Sequence, residues 1–87
     1  MDPELQELRA QIDLIDTEIL QKIAARFAVV KKLGQLKKEK SLPVIDLQRE
    51  GTLLKERFEF AKKLNLSDIF VQKLFELILQ ESREIKK

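Results

Sequence analysis

Three cations, Arg9, Arg26 and Lys37, fall on a stretch whose apolar residues recur with helical spacing. Leu5, Leu8, Ile12, Ile15, Ile19, Ile23, Phe27, Val30 and Leu33 return every three or four positions between Asp2 and Lys40. That is the pattern of a core-facing helical stripe. Arg9 stands four after Leu5, Arg26 seven after Ile19, and Lys37 four after Leu33. Each should point along the packed face or its edge, where an unpaired charge is costly. Too few acids share the stripe to neutralise them, so a bound anion is the natural partner. Arg26 and Lys37 are separated by about 1100° of helical rotation and roughly 16 Å of rise, so they face almost the same way. Two long side chains can converge on a small dianion between them. Arg9 lies roughly 25 Å from Arg26 along the same helix and does not easily reach that ligand.

Further along, Asp46, Arg49 and Glu50 form the first turn of a second helical pattern, and Ser82 and Lys86 share a face of a third with Leu79. Asp46 is well explained as a helix cap. Arg49 is less expected, because a cation disfavours a helix N-terminus. Ser82 reads equally as a small residue tolerated on an apolar face, and Lys86 as a solvated lysine. Arg26, Lys37 and Arg49 together are the stronger signal for anion binding.

Three helices must position these residues, which makes the chain all-α. Asp2-Pro3 is a start signal, with Asp as N-cap and Pro in the first turn. The first helix then runs unbroken to about Lys40. Gly34 is its one weak point, at roughly 1 kcal/mol against Ala. Ser41-Leu42-Pro43 ends it, because the residue before Pro avoids the α region. Asp46 caps the second helix, which Asn65-Leu66 closes, and Ser67 caps the third. A first helix of this length is a rod of roughly 57 Å, far longer than a compact domain of this size, whose radius of gyration is about 12 Å. Two short helices do not cover its whole stripe. Antiparallel pairing of two rods about a twofold axis would, bringing Arg9 of one chain near the Arg26–Lys37 region of the other. The other reading is a helix bent or broken at Gly34.

The composition narrows the chemistry. Eighty-seven residues make a single domain, 1–87. Seventeen basic and fifteen acidic residues give a net charge of +2, with no basic cluster to suggest nucleic acid. The absence of Cys excludes disulfides and thiolate metal sites, and the absence of His removes the commonest general base and metal ligand. No apolar run has the length of a membrane span, and no signal-peptide core opens the chain. A cytoplasmic protein without metal, membrane or nucleic-acid partners is expected.

The run Leu8-Arg9-x-x-Ile12-Asp13-x-Ile15-Asp16-x-x-Ile19-Leu20-x-x-Ile23-Ala24-x-Arg26 resembles the opening helix of the all-helical chorismate mutases. The resemblance continues through Lys37, Pro43-Val44-x-Asp46-x-x-Arg49-Glu50 and Phe75-x-x-Ile78-x-x-x-Ser82, covering nearly the whole chain. It implies an intertwined homodimer of three-helix chains with two shared active sites. It also implies a reaction, the Claisen rearrangement of chorismate to prephenate on the route to phenylalanine and tyrosine. That reaction is pericyclic and uses no cofactor. By matching position, Arg26 and the partner chain's Arg9 would bind the two carboxylates. Lys37 would donate to the ether oxygen and a carboxylate, and Glu50 would accept from the ring hydroxyl. Arg49 would orient Glu50 or reach the ligand through water. Asp46 and Ser82 would line the site, with Leu33 and Leu79 as apolar walls.

One position departs from the family pattern. Four residues after Ser82, where Gln or Glu is common, stands Lys86. An ammonium can donate the same hydrogen bond to the ether oxygen. The other reading is a frayed, solvated lysine and an empty donor position. Two further function classes stay open: an isochorismate-pyruvate lyase of the same fold, which would use the same cations, and a non-catalytic helical dimer module. The intact Asp46-x-x-Arg49-Glu50 set and the retained cations favour the mutase. Whether the chain is free-standing or part of a fusion is not readable from these residues. Feedback control within this length alone is not expected.

Overall fold

The helix boundaries follow from local capping chemistry. In a computed structural model, which describes residues 2–87, three α-helices run in chain order: α1 (Pro3–Glu39), α2 (Leu47–Lys63) and α3 (Asp68–Lys86). The Asp2 carboxylate opens α1 by accepting from the backbone N–H groups of Glu4 at 2.9 Å and Leu5 at 3.4 Å. Asp46 and Ser67 do the same for α2 and α3, accepting from Arg49 N and Phe70 N. Side-chain acceptors at these positions satisfy N–H groups that the helix itself leaves orphaned.

Both C-terminal stops are left-handed turns. Ser41 has φ 56° and Asn65 φ 59°. At the end of α1, Leu42 N donates to Lys37 O and Ser41 N to Lys38 O. At the end of α2, Leu66 N donates to Ala61 O and Asn65 N to Lys62 O. These are paired Schellman bonds, and Asn is one of the few side chains that suits the left-handed position. Ser41 is not, so Pro43, which cannot continue the helix, and the two hydrogen bonds of the turn, from Ser41 N and Leu42 N, hold it there.

Helix α1 passes through Gly34 without a break, so the long-rod expectation holds and the bent alternative does not. The longest dimension of the chain is 59 Å and its radius of gyration 16.8 Å, against about 12 Å for a compact chain of this length. The buried apolar residues are Leu53 and Ala61 of α2 with Val71 and Leu79 of α3. Helices α1 and α2 each pack on α3 but not on each other. The space left between them is the site described below. Among the described residues no helix is long and apolar enough to cross a membrane.

The apolar stripe of α1 is only partly covered within the chain. Leu5, Leu8, Ile12, Ile15 and Ile19 are all exposed. Ile15, Ile19 and Ile23 face Leu74 and Ile78 of α3 across an apolar hollow of about 340 Å³, with only Glu18 and Lys22 at its edge. Arg9 is exposed with them. The expectation that all three stripe cations are packed therefore holds for Arg26 and Lys37, which are half-buried, and not for Arg9 within one chain.

Candidate functional site

Three helix faces converge on one cavity of about 150 Å³. From α1 come Arg26, Val30, Leu33 and Lys37, spaced four, three and four residues apart. From α2 come Arg49, Glu50 and Leu53, with Asp46 at its cap. From α3 come Leu79 and Lys86, seven apart. Every one of these sets follows the spacing of a single helix face. Eight of the ten residues expected at the site line this cavity: Arg26, Lys37, Lys86, Glu50, Arg49, Asp46, Leu33 and Leu79.

The electrostatics are one-sided. Four cationic side chains, Arg26, Lys37, Arg49 and Lys86, face the cavity, against the carboxylates of Asp46 and Glu50. Both carboxylates are already engaged. Asp46 Oδ1 accepts from the backbone N–H of Arg49 at 2.9 Å as the α2 cap. Glu50, only 8% exposed, is held by Arg83, whose Nε donates to Oε2 at 3.1 Å and whose Nη2 donates to Oε1. No hydrogen bond or ion pair among the described residues holds the ammonium of Lys37 or Lys86 or the guanidinium of Arg49.

Arg26 is held from behind. Its Nη1 donates to Ser82 Oγ at 2.9 Å, and Ser82 Oγ in turn donates to Ile78 O at 2.7 Å. Ser82 is 3% exposed, and its hydroxyl both accepts and donates. One N–H of the guanidinium is thereby fixed, leaving the others for a ligand. Burial, then the nearby charges of Arg57 and Arg49, lower the Arg26 pKa, although an arginine remains charged throughout the usable pH range. Lys86 is lowered from its ordinary value chiefly by burial and then by Lys37, with Glu50 pulling the other way. Glu50 is lowered, first by the hydrogen bond from Arg83, against the opposing effect of burial. Its carboxyl stays ionised through neutral pH.

Two expectations need correction. Ser82 was expected to line the site. It lies behind Arg26 instead, because its hydroxyl is drawn to the Ile78 carbonyl one turn back on α3. Of the two roles expected of Arg49, gripping Glu50 falls to Arg83, because α3 brings that guanidinium to both carboxylate oxygens, while Arg49 lines the cavity, where its other role, meeting a ligand through water, stays open to it. Arg9 is outside this chain's cavity, far along the rod, as its roughly 25 Å separation from Arg26 requires. Arg83 itself was missed. Its signal was present, since Leu79, Ser82, Arg83 and Lys86 complete one helix face at intervals of three, one and three.

Such a cavity suits a small, rigid dianion with a further polar atom, held by forked guanidinium donors and point-like ammonium groups. Leu33, Val30, Leu53 and Leu79 supply an apolar wall.

The chain is similar to known proteins over most of its length. The family described as chorismate mutase type II matches residues 8–87. A chorismate mutase of Methanocaldococcus jannaschii is 28% identical over 87 residues, covering 100% of this chain and 88% of that protein. A bifunctional chorismate mutase/prephenate dehydratase of Buchnera aphidicola is 34% identical over 79 residues, 91% of this chain and 20% of the relative. The T-protein of Haemophilus influenzae is 31% identical over 78 residues, 90% of this chain and 21% of its own length. The chain thus spans about a fifth of the length of these two longer relatives. Since the match runs from Leu8 to Lys87 and takes in every residue that lines the cavity, the chain belongs to the chorismate mutase type II family.

Proposed function

We propose that this chain is an isomerase that rearranges chorismate to prephenate in aromatic amino-acid biosynthesis. The observation that carries the reading is the imbalance in the cavity: four cationic side chains face it while both of its carboxylates are engaged elsewhere. Chorismate is a dianion. Its rearrangement breaks a C–O bond and forms a C–C bond in one pericyclic step, so the site needs no nucleophile and no proton-transfer group. It must hold the chair-like conformer and stabilise negative charge growing on the ether oxygen.

Arg26, fixed by Ser82, binds one carboxylate. Lys37 donates to the other carboxylate and to the ether oxygen. Lys86 gives the ether oxygen a second, charged donor, which gains strength as charge develops there. Glu50 accepts from the ring hydroxyl. Arg49 reaches the ligand from the start of α2, and Leu33 and Leu79 flank the ring. Asp46 holds α2 in register at the rim.

The working form is an intertwined homodimer with two shared sites, each completed by Arg9 of the partner chain. One feature supports this: the exposed stripe from Leu5 to Ile19 is an apolar surface of the kind that subunit contacts cover. Residues 1–87 act as one domain, in the cytoplasm, without a cofactor.

The deciding experiment adds chorismate and follows the loss of its ultraviolet absorbance, with prephenate identified as product. Isochorismate is the parallel substrate. Turnover of isochorismate to pyruvate and salicylate, without prephenate from chorismate, would replace this reading with the lyase. Turnover of neither would leave a non-catalytic helical dimer.

A further inference from the structure

We propose that Arg83 is a positioning residue for Glu50: by gripping both carboxylate oxygens it aims Glu50 across the cavity and keeps it from pairing with Lys86, whose ammonium is left for the ligand. The inference rests on reading the cavity as a mutase site.

Arg83 approaches Glu50 from α3, and the contact joins two helices through one forked pair. A guanidinium fork fixes the plane of a carboxylate in a way that a single ammonium does not. The acid is buried while the Arg83 side chain is 41% exposed, so the holder reaches in from the rim. That exposure makes the pair a weak source of stability and points to geometry as its contribution. A carboxylate has about four lone-pair positions. The fork uses two, leaving one on each oxygen for a hydroxyl donor.

Lys86 follows Arg83 by three residues, on the same face of α3. Glu50 and Lys86 are close enough that each perturbs the titration of the other, yet no hydrogen bond or ion pair joins them. In a part-buried space an ammonium and a carboxylate that near would ordinarily close into a pair, because leaving both unpaired is costly. The groups facing Glu50 are Arg26 and Lys37 from α1, Asp46 and Arg49 from its own helix, and Arg83 and Lys86 from α3. Asp46 is committed to the α2 cap. Without Arg83, Glu50 would be the one uncommitted anion of the cavity, and Lys86 is the remaining cation whose charge it feels. Arg83 thus resolves a competition between two side chains that the reaction needs apart.

The test is a double-mutant cycle with a spectroscopic readout. Arg83→Met is made in the wild-type chain and in Glu50→Gln, and kcat and KM on chorismate are measured for all four proteins. In parallel, 13C and 15N NMR follow the titrations of the Glu50 carboxyl and the Lys86 amine. Arg83→Met should lower kcat/KM about 10-fold or more, the scale of losing a hydrogen bond to a charged group. Lys86 should titrate at higher pH than in wild type, because it gains Glu50 as a partner. In the Glu50→Gln background the same change should cost less than about 2-fold, since there is no carboxylate left to aim. Arg83→Lys, which keeps the charge and loses the fork, should recover part of the rate. Equal losses in both backgrounds, or a Lys86 titration that does not move, would overturn the proposal. A purely structural role would lower Tm and leave that titration unchanged. If Arg83→Met fails to fold, Arg83→Gln gives the same readouts. If the wild-type chain does not turn over chorismate, the functional reading fails, and the two titrations still decide what Arg83 does.

Discussion

Gly34 lies directly beneath Lys86. A Cβ placed on Gly34 would stand 3.1 Å from Lys86 Cα, 3.0 Å from its Cγ and 3.2 Å from its Cβ. The one glycine of α1 therefore lets the backbone of α3 approach the rod closely at Lys86, a cavity-lining residue. The Lys38 ammonium, donating to the Lys87 carbonyl, tethers the same end of α3.

Gly34→Ala should separate helix stability from catalysis. Ala favours the helix by about 1 kcal/mol over Gly, which offsets the cost of moving the last turn of α3 by a few tenths of an ångström. Thermal unfolding should shift by only a few degrees while kcat/KM falls about 10-fold. Gly34→Val should lose both. A Gly34→Ala enzyme with full activity would show that Lys86 is not placed by this contact.

Arg26 and its support should differ in scale. Arg26→Ala and Lys37→Ala should each lose at least about 100-fold in kcat/KM, the range for removing a preorganised charged donor. Ser82→Ala removes only the hydroxyl that steadies Arg26 and should cost about 5-fold, near the worth of one ordinary hydrogen bond. Circular dichroism should report folded helices in all three. An equal loss in Ser82→Ala and Arg26→Ala would mean that the hydroxyl meets the substrate itself.

Complementation tests the shared site. Arg9→Ala and Arg26→Ala chains, each inactive alone, should regain activity after joint refolding. In a mixed dimer one of the two sites carries both changes and the other neither. Confirmed mixed dimers without activity, or a monomer by sedimentation, would refute the contribution of Arg9 from a second chain.

The pH profile should bend on the alkaline side earlier than an ordinary lysine would allow. Lys86 donates only while protonated, and burial and Lys37 lower its pKa from 10.5. Activity should therefore fall as pH rises through that lowered value, and Lys86→Gln should flatten the limb at a reduced rate. Stability has its own signature at the acid end. The Glu50 pKa is lowered in the fold, so its contribution is fully present above the ordinary glutamate value and is lost as pH falls through the folded one. Glu50→Gln should remove that acid-side slope in Tm. A slope that survives the substitution would assign it to another carboxylate.

Local chemistry was legible in the sequence where it is local in space. Asp2-Pro3, Asp46, Ser67 and Asn65 mark helix ends because a cap is made within three or four residues. Arg26, Lys37, Leu33 and Val30 could be put on one face because an unbroken helix has a fixed period. Glu50 and Arg83 could not be paired in the same way. They lie 33 residues apart, and both Arg49 and Arg83 were sterically available until α3 was docked. Ser82 was placed on the correct face but one layer too far forward. The stripe pattern also said that Leu5 to Ile19 would be covered, while the identity of the cover is not encoded in periodicity.

Every described residue from Asp2 to Lys22 is exposed, and helices in proteins draw most of their stability from packing of an apolar face, of which this segment has little within one chain. Amide hydrogens should thus exchange with solvent in two regimes along one helix. Before Ile23 they should exchange quickly whenever the segment is bare, and around Gly34 slowly at all times. Protection of the first regime should then rise with protein concentration as the surface becomes shielded. Deuterium uptake between Leu5 and Leu20 becomes a gauge of association that needs no substrate, and its midpoint on dilution gives the Kd directly.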